Sequence, residues 1–276
     1  MAIKLLLISG LLFSLLSCSD LTWNPQAEEA QSLINQGRYV EAIEYSQEEL
    51  KLAEKKYGPD HISVAELLEK TGIAYQKMEK YAQAEPFLIR SLKIMEKSPN
   101  LSPSRVTRAL NWLSLTYYLQ ERYEDATPLL ERALKIAERD LKSNDPLMAT
   151  TLFNLALTYR SQKKYAKATP LLERSIEIEE KILGVDHPDL ADSFALMGAL
   201  YMFQDKDNEA IQYMERAVEI WDKPFTSDSL HILAMYKNLE KLYIKTDKPD
   251  EAARVRGRIN RIRSRRKDGG YKKRNK

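Results

Sequence analysis

Leu152-Phe153-Asn154-Leu155-Ala156-Leu157-Thr158-Tyr159-Arg160-Ser161-Gln162-Lys163-Lys164-Tyr165-Ala166-Lys167-Ala168-Thr169-Pro170-Leu171-Leu172 is the stretch that decides the fold. Leu152, Leu155, Ala156 and Tyr159 fall at helical spacing and make one apolar face. The polar run Ser161-Gln162-Lys163-Lys164 interrupts that pattern. Tyr165, Ala168, Leu171, Leu172, Ile176 and Ile178 then begin a second helix that runs to Leu183-Gly184, where the glycine is placed to cap it. Asp186-His187-Pro188 opens the connection to whatever follows. The stretch therefore predicts a helical hairpin.

Outward from it, the sequence matches itself when shifted by 42 residues. Ala42, Ala84, Ala126, Ala168, Ala210 and Ala252 form one column without a gap. Tyr75, Tyr117, Tyr159, Tyr201 and Tyr243 form a second, and Tyr39, Tyr81, Tyr123 and Tyr165 a third. Pro86, Pro128 and Pro170 form a fourth, placed near the start of the second helix, where a missing N–H is least harmful. A fixed period of this length is the signature of a stacked repeat. The small column has a steric reason, since two helices that cross closely leave room for nothing larger than alanine.

These columns resemble the tetratricopeptide repeat. Its small helix-A residue matches Gly72, Ser114, Ala156 and Gly198, its helix-A tyrosine the Tyr75 column, and its helix-B alanine the Ala42 column. The 42-residue period, with Ala168-Thr169-Pro170-Leu171-Leu172-Glu173-Arg174 and Gly184-Val185-Asp186-His187-Pro188, is similar to the kinesin-light-chain subtype. The resemblance implies an all-α fold, an α-solenoid of about six helix-turn-helix repeats over residues 26–264 in a right-handed superhelix. The first and last units are atypical, with Leu33 in the tyrosine column and Arg256 on a basic final helix, as expected of ends that meet solvent.

The termini differ from the middle. Lys4 and the apolar run Leu5 to Ser17 have the form of a signal peptide, and that run is too short for a spanning helix of roughly 20 residues. Leu15-Leu16-Ser17-Cys18, which holds the only cysteine, resembles the lipobox of bacterial lipoproteins. The resemblance implies cleavage after residue 17, acylation of Cys18 and anchoring to a lipid bilayer, with residues 18–25 as linker. Ser19 after that cysteine points to an outer-membrane lipoprotein facing the periplasm. Residues 254–276 carry twelve Lys/Arg and one acid, Asp268, a net +11 that leaves −8 on the rest. The segment 265–276 reads as a disordered basic tail, with Arg265, Arg266, Lys267, Lys272, Lys273 and Arg274 available to anionic envelope polymers.

Nothing in the composition favours an enzyme. One cysteine excludes a multi-cysteine site, and three histidines leave little material for histidine-based catalysis. No phosphate-binding loop, metal motif or cofactor signature is present. His61 and His187 stand 126 residues apart, three periods, and so share one linker position.

The family resemblance implies instead a non-catalytic scaffold whose concave groove, lined by helix A, holds a peptide or helix of a protein partner. Carried onto this chain, the groove positions are Arg108, Asn111, Trp112, Leu115 and Tyr118 in the third unit. In the fourth they are Thr150, Phe153, Asn154, Leu157 and Arg160, and in the fifth Asp192 and Met202. The paired asparagines of the subtype survive only singly, at Asn111, Asn154 and Asn238. Trp112 and Phe153 read equally well as helix–helix core. The carboxylate-clamp pattern is not reproduced, since Glu69 and Ile73 stand where it needs Lys and Asn. Two other readings stay open: an envelope tether whose basic tail binds polyanions, and a cytosolic nucleic-acid-associated adaptor if the N-terminus is retained.

Overall fold

The computed structural model describes residues 24–221 and 230–267, and among them every element is an α-helix. The twelve helices are α1 (Pro25–Asn35), α2 (Tyr39–Tyr57), α3 (Ile62–Lys77), α4 (Tyr81–Lys97), α5 (Pro103–Leu119), α6 (Tyr123–Asp140), α7 (Pro146–Ser161), α8 (Tyr165–Leu183), α9 (Leu190–Met202), α10 (Asp207–Trp221), α11 (Leu230–Lys245) and α12 (Pro249–Lys267). Odd-numbered helices are helix A of a hairpin and even-numbered ones helix B. Two compact units meet in sequence at Lys163 and Lys164, α1–α7 in the first and α8–α12 in the second.

The turn from A to B is built the same way each time. Gly37, Glu79, Glu121, Lys163, Asp205 and Asp247, all 42 residues apart, take positive φ. The next residue's N–H then returns to the carbonyl five back, as in Lys80 to Tyr75 and Arg122 to Tyr117, both at 2.9 Å. This closure satisfies carbonyls the helix end would otherwise leave open. Five of the six positions carry a side chain where glycine alone escapes the left-handed penalty. We expect Glu79→Gly, at an exposed site, to raise stability by about 0.5 kcal/mol, read as a higher urea midpoint at unchanged slope.

The linkers explain the repeated histidines. His61 Nδ1 accepts the N–H of Ser63 at 3.2 Å, capping α3, and His187 Nδ1 accepts that of Asp189 at 3.3 Å. Asn24 and Asp145 serve α1 and α7 in the same way. His61, Asn24 and Asp145 are thus side-chain acceptors for an N–H the helix start cannot pair, whereas the N–H that His187 accepts lies just before α9.

At the crossing of A and B, the alanine column is 0–3% exposed. A Cβ added to Gly72 would sit 2.6 Å from Leu88 Cγ, and one added to Gly198 the same distance from Met214 Cγ. The tyrosine column closes this contact: Tyr75 stacks on Phe87 at 5.5 Å and Tyr201 on Tyr213 at 5.5 Å. Pro86, Pro128 and Pro170 differ from the sequence expectation. Each is the sixth residue of its helix, past the N–H groups that lack partners. The carbonyl each leaves unpaired belongs to Ala82, Glu124 or Ala166, exposed positions where water can bond it. The last helix also runs through Lys267, so Arg265, Arg266 and Lys267 belong by backbone to α12 and not to a tail. Cys18, Lys272, Lys273 and Arg274 lie outside the described residues. Among the described residues no helix is long and apolar enough to cross a membrane.

Candidate functional site

Successive hairpins are joined by polar contacts that repeat with the sequence. Tyr159 donates its hydroxyl to Glu131 at 2.5 Å, Tyr201 to Glu173 at 3.1 Å, and Tyr243 to Glu215. Each bond ties helix A of one repeat to helix B of the repeat before. Burial, and then the neighbouring carboxylate, pushes the Tyr159 and Tyr201 hydroxyls up to about 12. A second series runs beside it: Gln120 donates to Glu85, Gln162 to Thr127 and Gln204 to Thr169, at 2.9–3.1 Å. These contacts fix the spacing of the A helices and hence of anything that lies across them.

Within the first unit, the A helices are also bonded to one another. Gln76 of α3 donates to Thr116 of α5 at 3.0 Å. Asn111 of α5 donates to Thr151 of α7 at 2.8 Å and to the Thr107 carbonyl at 2.9 Å. Asn154 of α7 donates back to Asn111 Oδ1 at 3.0 Å. At the N-terminal ends of the same helices, Glu66 pairs with Arg105 and accepts from Asn24 at 2.6 Å. Arg105 is 5% exposed.

The residues expected to line a groove therefore divide. Asn111 and Asn154 are 6% and 5% exposed, and their donors are spent on the ladder between helices. Trp112, Tyr118 and Leu157 are buried too, and Tyr118 accepts from Ser161 at 3.2 Å. The other members of the first unit, Arg108, Leu115, Thr150, Phe153 and Arg160, are half-buried. In the second unit Asp192 and Met202 are half-buried. Two polar atoms on this face, Arg108 Nε and Asn154 Oδ1, are withdrawn from solvent with no hydrogen-bond partner among the described residues, and Glu69 Oε2 on α3 is a third. Unsatisfied buried groups are rare in folded proteins and call for a reason.

Sequence reasoning did not find Gln76, Thr116, Thr151, or the Glu66–Arg105 pair. Nor did it find Glu179 of α8, held by Ser175 at 3.0 Å and Ser193 at 2.7 Å. Burial first, with Asp189 adding to it, pushes Glu179 up to about 7 against those two bonds. Asp192 of α9 rises to about 7 as well, by burial and then by Asp189 and Glu179. Among the described residues no three His, Cys, Asp or Glu side chains are grouped to hold a metal ion.

The model of one protein family, the tetratricopeptide repeat, matches residues 25–97, 105–181 and 161–223. The chain belongs to the tetratricopeptide repeat family. Its fold is similar to that of BtubC (BKLC) from P. vanneervenii, with TM-score 0.69 and 20% identity over 93% of this chain and 96% of that one. It is similar also to the repeats of a putative kinesin light chain from Podosopora anserina, with TM-score 0.62 and 23% identity over 74% and 97% of the two chains. Pseudomonas aeruginosa pilF gives TM-score 0.63 and 17% identity over 86% and 90%. No curated protein matches the chain.

Proposed function

We propose that this protein is a non-catalytic scaffold that holds a peptide or helix of a protein partner against its helix-A face. Tetratricopeptide repeats serve in general to bind other proteins, and this chain's helix-A face has what such contact needs. The carrying observation is the pair Arg108 Nε and Asn154 Oδ1, a buried donor and a buried acceptor on α5 and α7 with no hydrogen-bond partner among the described residues. A bound backbone amide offers the complement of both. Half-buried Phe153 supplies the apolar anchor, and Arg108 and Arg160 favour a partner carrying carboxylates beside it. The site of action we infer is the bacterial cell envelope, reached through acylated Cys18. The sequence Leu15-Leu16-Ser17-Cys18 supports that part.

A photo-crosslinking residue placed at Arg160 or Phe153 in living cells is expected to give discrete protein adducts. The same residue at Pro128, exposed on helix B, is expected to give none. Arg108→Ala with Arg160→Ala should lower adduct yield from Phe153 at least about fivefold with helicity unchanged. Equal yields from Phe153 and Pro128, or no effect of the double variant, overturn the binding face. Intact mass of the same recovered chain reads the location separately: an unmodified full-length chain overturns the envelope part and leaves the scaffold part standing.

A further inference from the structure

The two ends of the repeat array are not merely solvated; their charges are exchanged relative to every inner repeat. In the first unit Arg90 pairs with Glu54 and Arg132 with Glu96, each at 2.6 Å, joining helix B of one repeat to helix B of the repeat before. The cation column runs Arg90, Arg132, Arg174, Arg216, Arg258, and the acid column Glu54, Glu96, Glu138, Glu180. An inner repeat thus offers a cation backward and an acid forward. The first repeat offers exposed Glu48 in the cation column. The last has Ser264 in the acid column, with exposed Arg261 and Arg263 beside it.

The helix-A face places a further pair of opposite charges at the ends. Asn154 bonds Asn111, so this position of one repeat meets the neighbouring column of the repeat before. Moved to the ends, the two positions are Glu28 of α1 and Lys237 of α11, both exposed. The tyrosine–glutamate bond joins only the later repeats, since Gln47 and Ile89 stand in the glutamate column of the first two; at the ends Leu33 stands in the tyrosine column and Gly257 in the glutamate column, so neither end would strand a carboxylate or a phenol against the other. Helix α1 contains no Lys or Arg, and α12 contains no acid after Glu251. On the last hairpin an open cleft of about 650 Å³, lined by Tyr236, Arg254, Gly257, Arg258 and Arg261, lies where inner repeats are covered by the next helix A.

We infer that the last hairpin, α11–α12, receives the first hairpin, α1–α2, of a second copy of this chain. Glu28 then meets Lys237, and Glu48 meets Arg261 and Arg263, so the 42-residue register passes from one molecule into the next. Such an interface is head to tail, and it grows into chains or closes into rings instead of stopping at a two-fold dimer. The charges select the register and make the contact weaken with salt.

The test is sedimentation velocity of the full chain in non-ionic detergent, which keeps the apolar N-terminus from driving association. Wild type is expected to grow past dimer with concentration, with an apparent association constant falling at least about tenfold between about 0.05 and 0.5 M salt. A head variant, Glu28→Lys with Glu48→Arg, and a tail variant, Lys237→Glu with Arg261→Glu and Arg263→Glu, should each stay monomeric. Mixed in equal amounts, they pair intact head with intact tail and reversed head with reversed tail, so every junction is complementary again and growth past dimer should return. All five positions are exposed, and circular dichroism checks folding; if the tail variant fails that check, wild-type salt dependence and the head variant alone decide. A monomeric wild type, association that stops at a dimer, or growth untouched by the head variant overturns the inference. So does a monomeric wild type whose basic end instead binds phosphatidylglycerol vesicles. Loss of partner capture at the helix-A face would leave all these readings unchanged.

Discussion

Glu66→Ala should cost about 3–5 kcal/mol, the range for removing one partner from a buried ion pair. Arg105 is 5% exposed, and the Glu66 side chain is 13% exposed. Without the carboxylate, the guanidinium keeps its charge, since arginine does not deprotonate in proteins, and is left in a site shielded from water. The loss reaches further than the pair. Glu66 also accepts from Asn24 at 2.6 Å, and Asn24 Oδ1 caps α1 through the N–H of Ala27. One carboxylate therefore holds the starts of three successive A helices. Replacing both charges, Glu66→Leu with Arg105→Met, should recover most of the stability because no charge is left buried. The measurement is a double-mutant cycle by urea unfolding, with hydrogen exchange to locate the damage. In a repeat protein each hairpin leans mainly on its neighbours. The exchange increase should accordingly concentrate in α1–α5 and spare α9–α12. A single variant within about 1 kcal/mol of wild type would show that the pair contributes no more than a surface bridge.

That pair also shows where sequence reading stops. The columns of Ala42, Tyr75 and their equivalents are legible because each repeat presents the same side chain to the same steric demand. A buried crossing that admits only alanine writes alanine six times. Contacts between repeats obey a different arithmetic. Glu66 and Arg105 are 39 residues apart, Gln76 and Thr116 are 40, and Asn111 and Asn154 are 43. Those offsets come from how far one helix slides along its neighbour, which the period does not state. Asn111 and Asn154 are thus visible as polar residues at groove positions, while their bonding to each other is not. The three-period separation of His61 and His187 puts both in the linker, yet what they do there, each Nδ1 accepting a backbone N–H two residues on, needs the backbone. The prolines show the converse: their column is plain, but whether they fall in the first turn depends on where the helix starts.

The second large effect is a dependence of stability on pH that runs against ordinary acid denaturation. From pH 5 to pH 8 the second unit should lose on the order of 2–4 kcal/mol, or roughly 5–10 °C in melting temperature. Glu179 and Asp192 rise from ordinary values of 4.5 and 3.8 to about 7, chiefly because burial penalises the charged form. In the folded chain both therefore hold their protons at pH values where the unfolded chain has released them. Their contribution is complete below about pH 4, and it declines as pH rises until it is spent above about 7. Asp189 strengthens the effect, being a third carboxylate near both. Glu41 beside Arg38 and Asp140 beside Arg139 are shifted downward and pull the other way, but these carboxylates are exposed and largely screened. The two groups are coupled, so the pair is the unit to vary. Glu179→Gln with Asp192→Asn should flatten the profile and raise the melting temperature at pH 8 while changing little at pH 5. Ser175 and Ser193 keep hydrogen-bond partners in the glutamine side chain, which limits the cost of the substitution itself. If the double variant melts with the same pH slope as wild type, the slope belongs to other groups and the buried carboxyl pair is not its source.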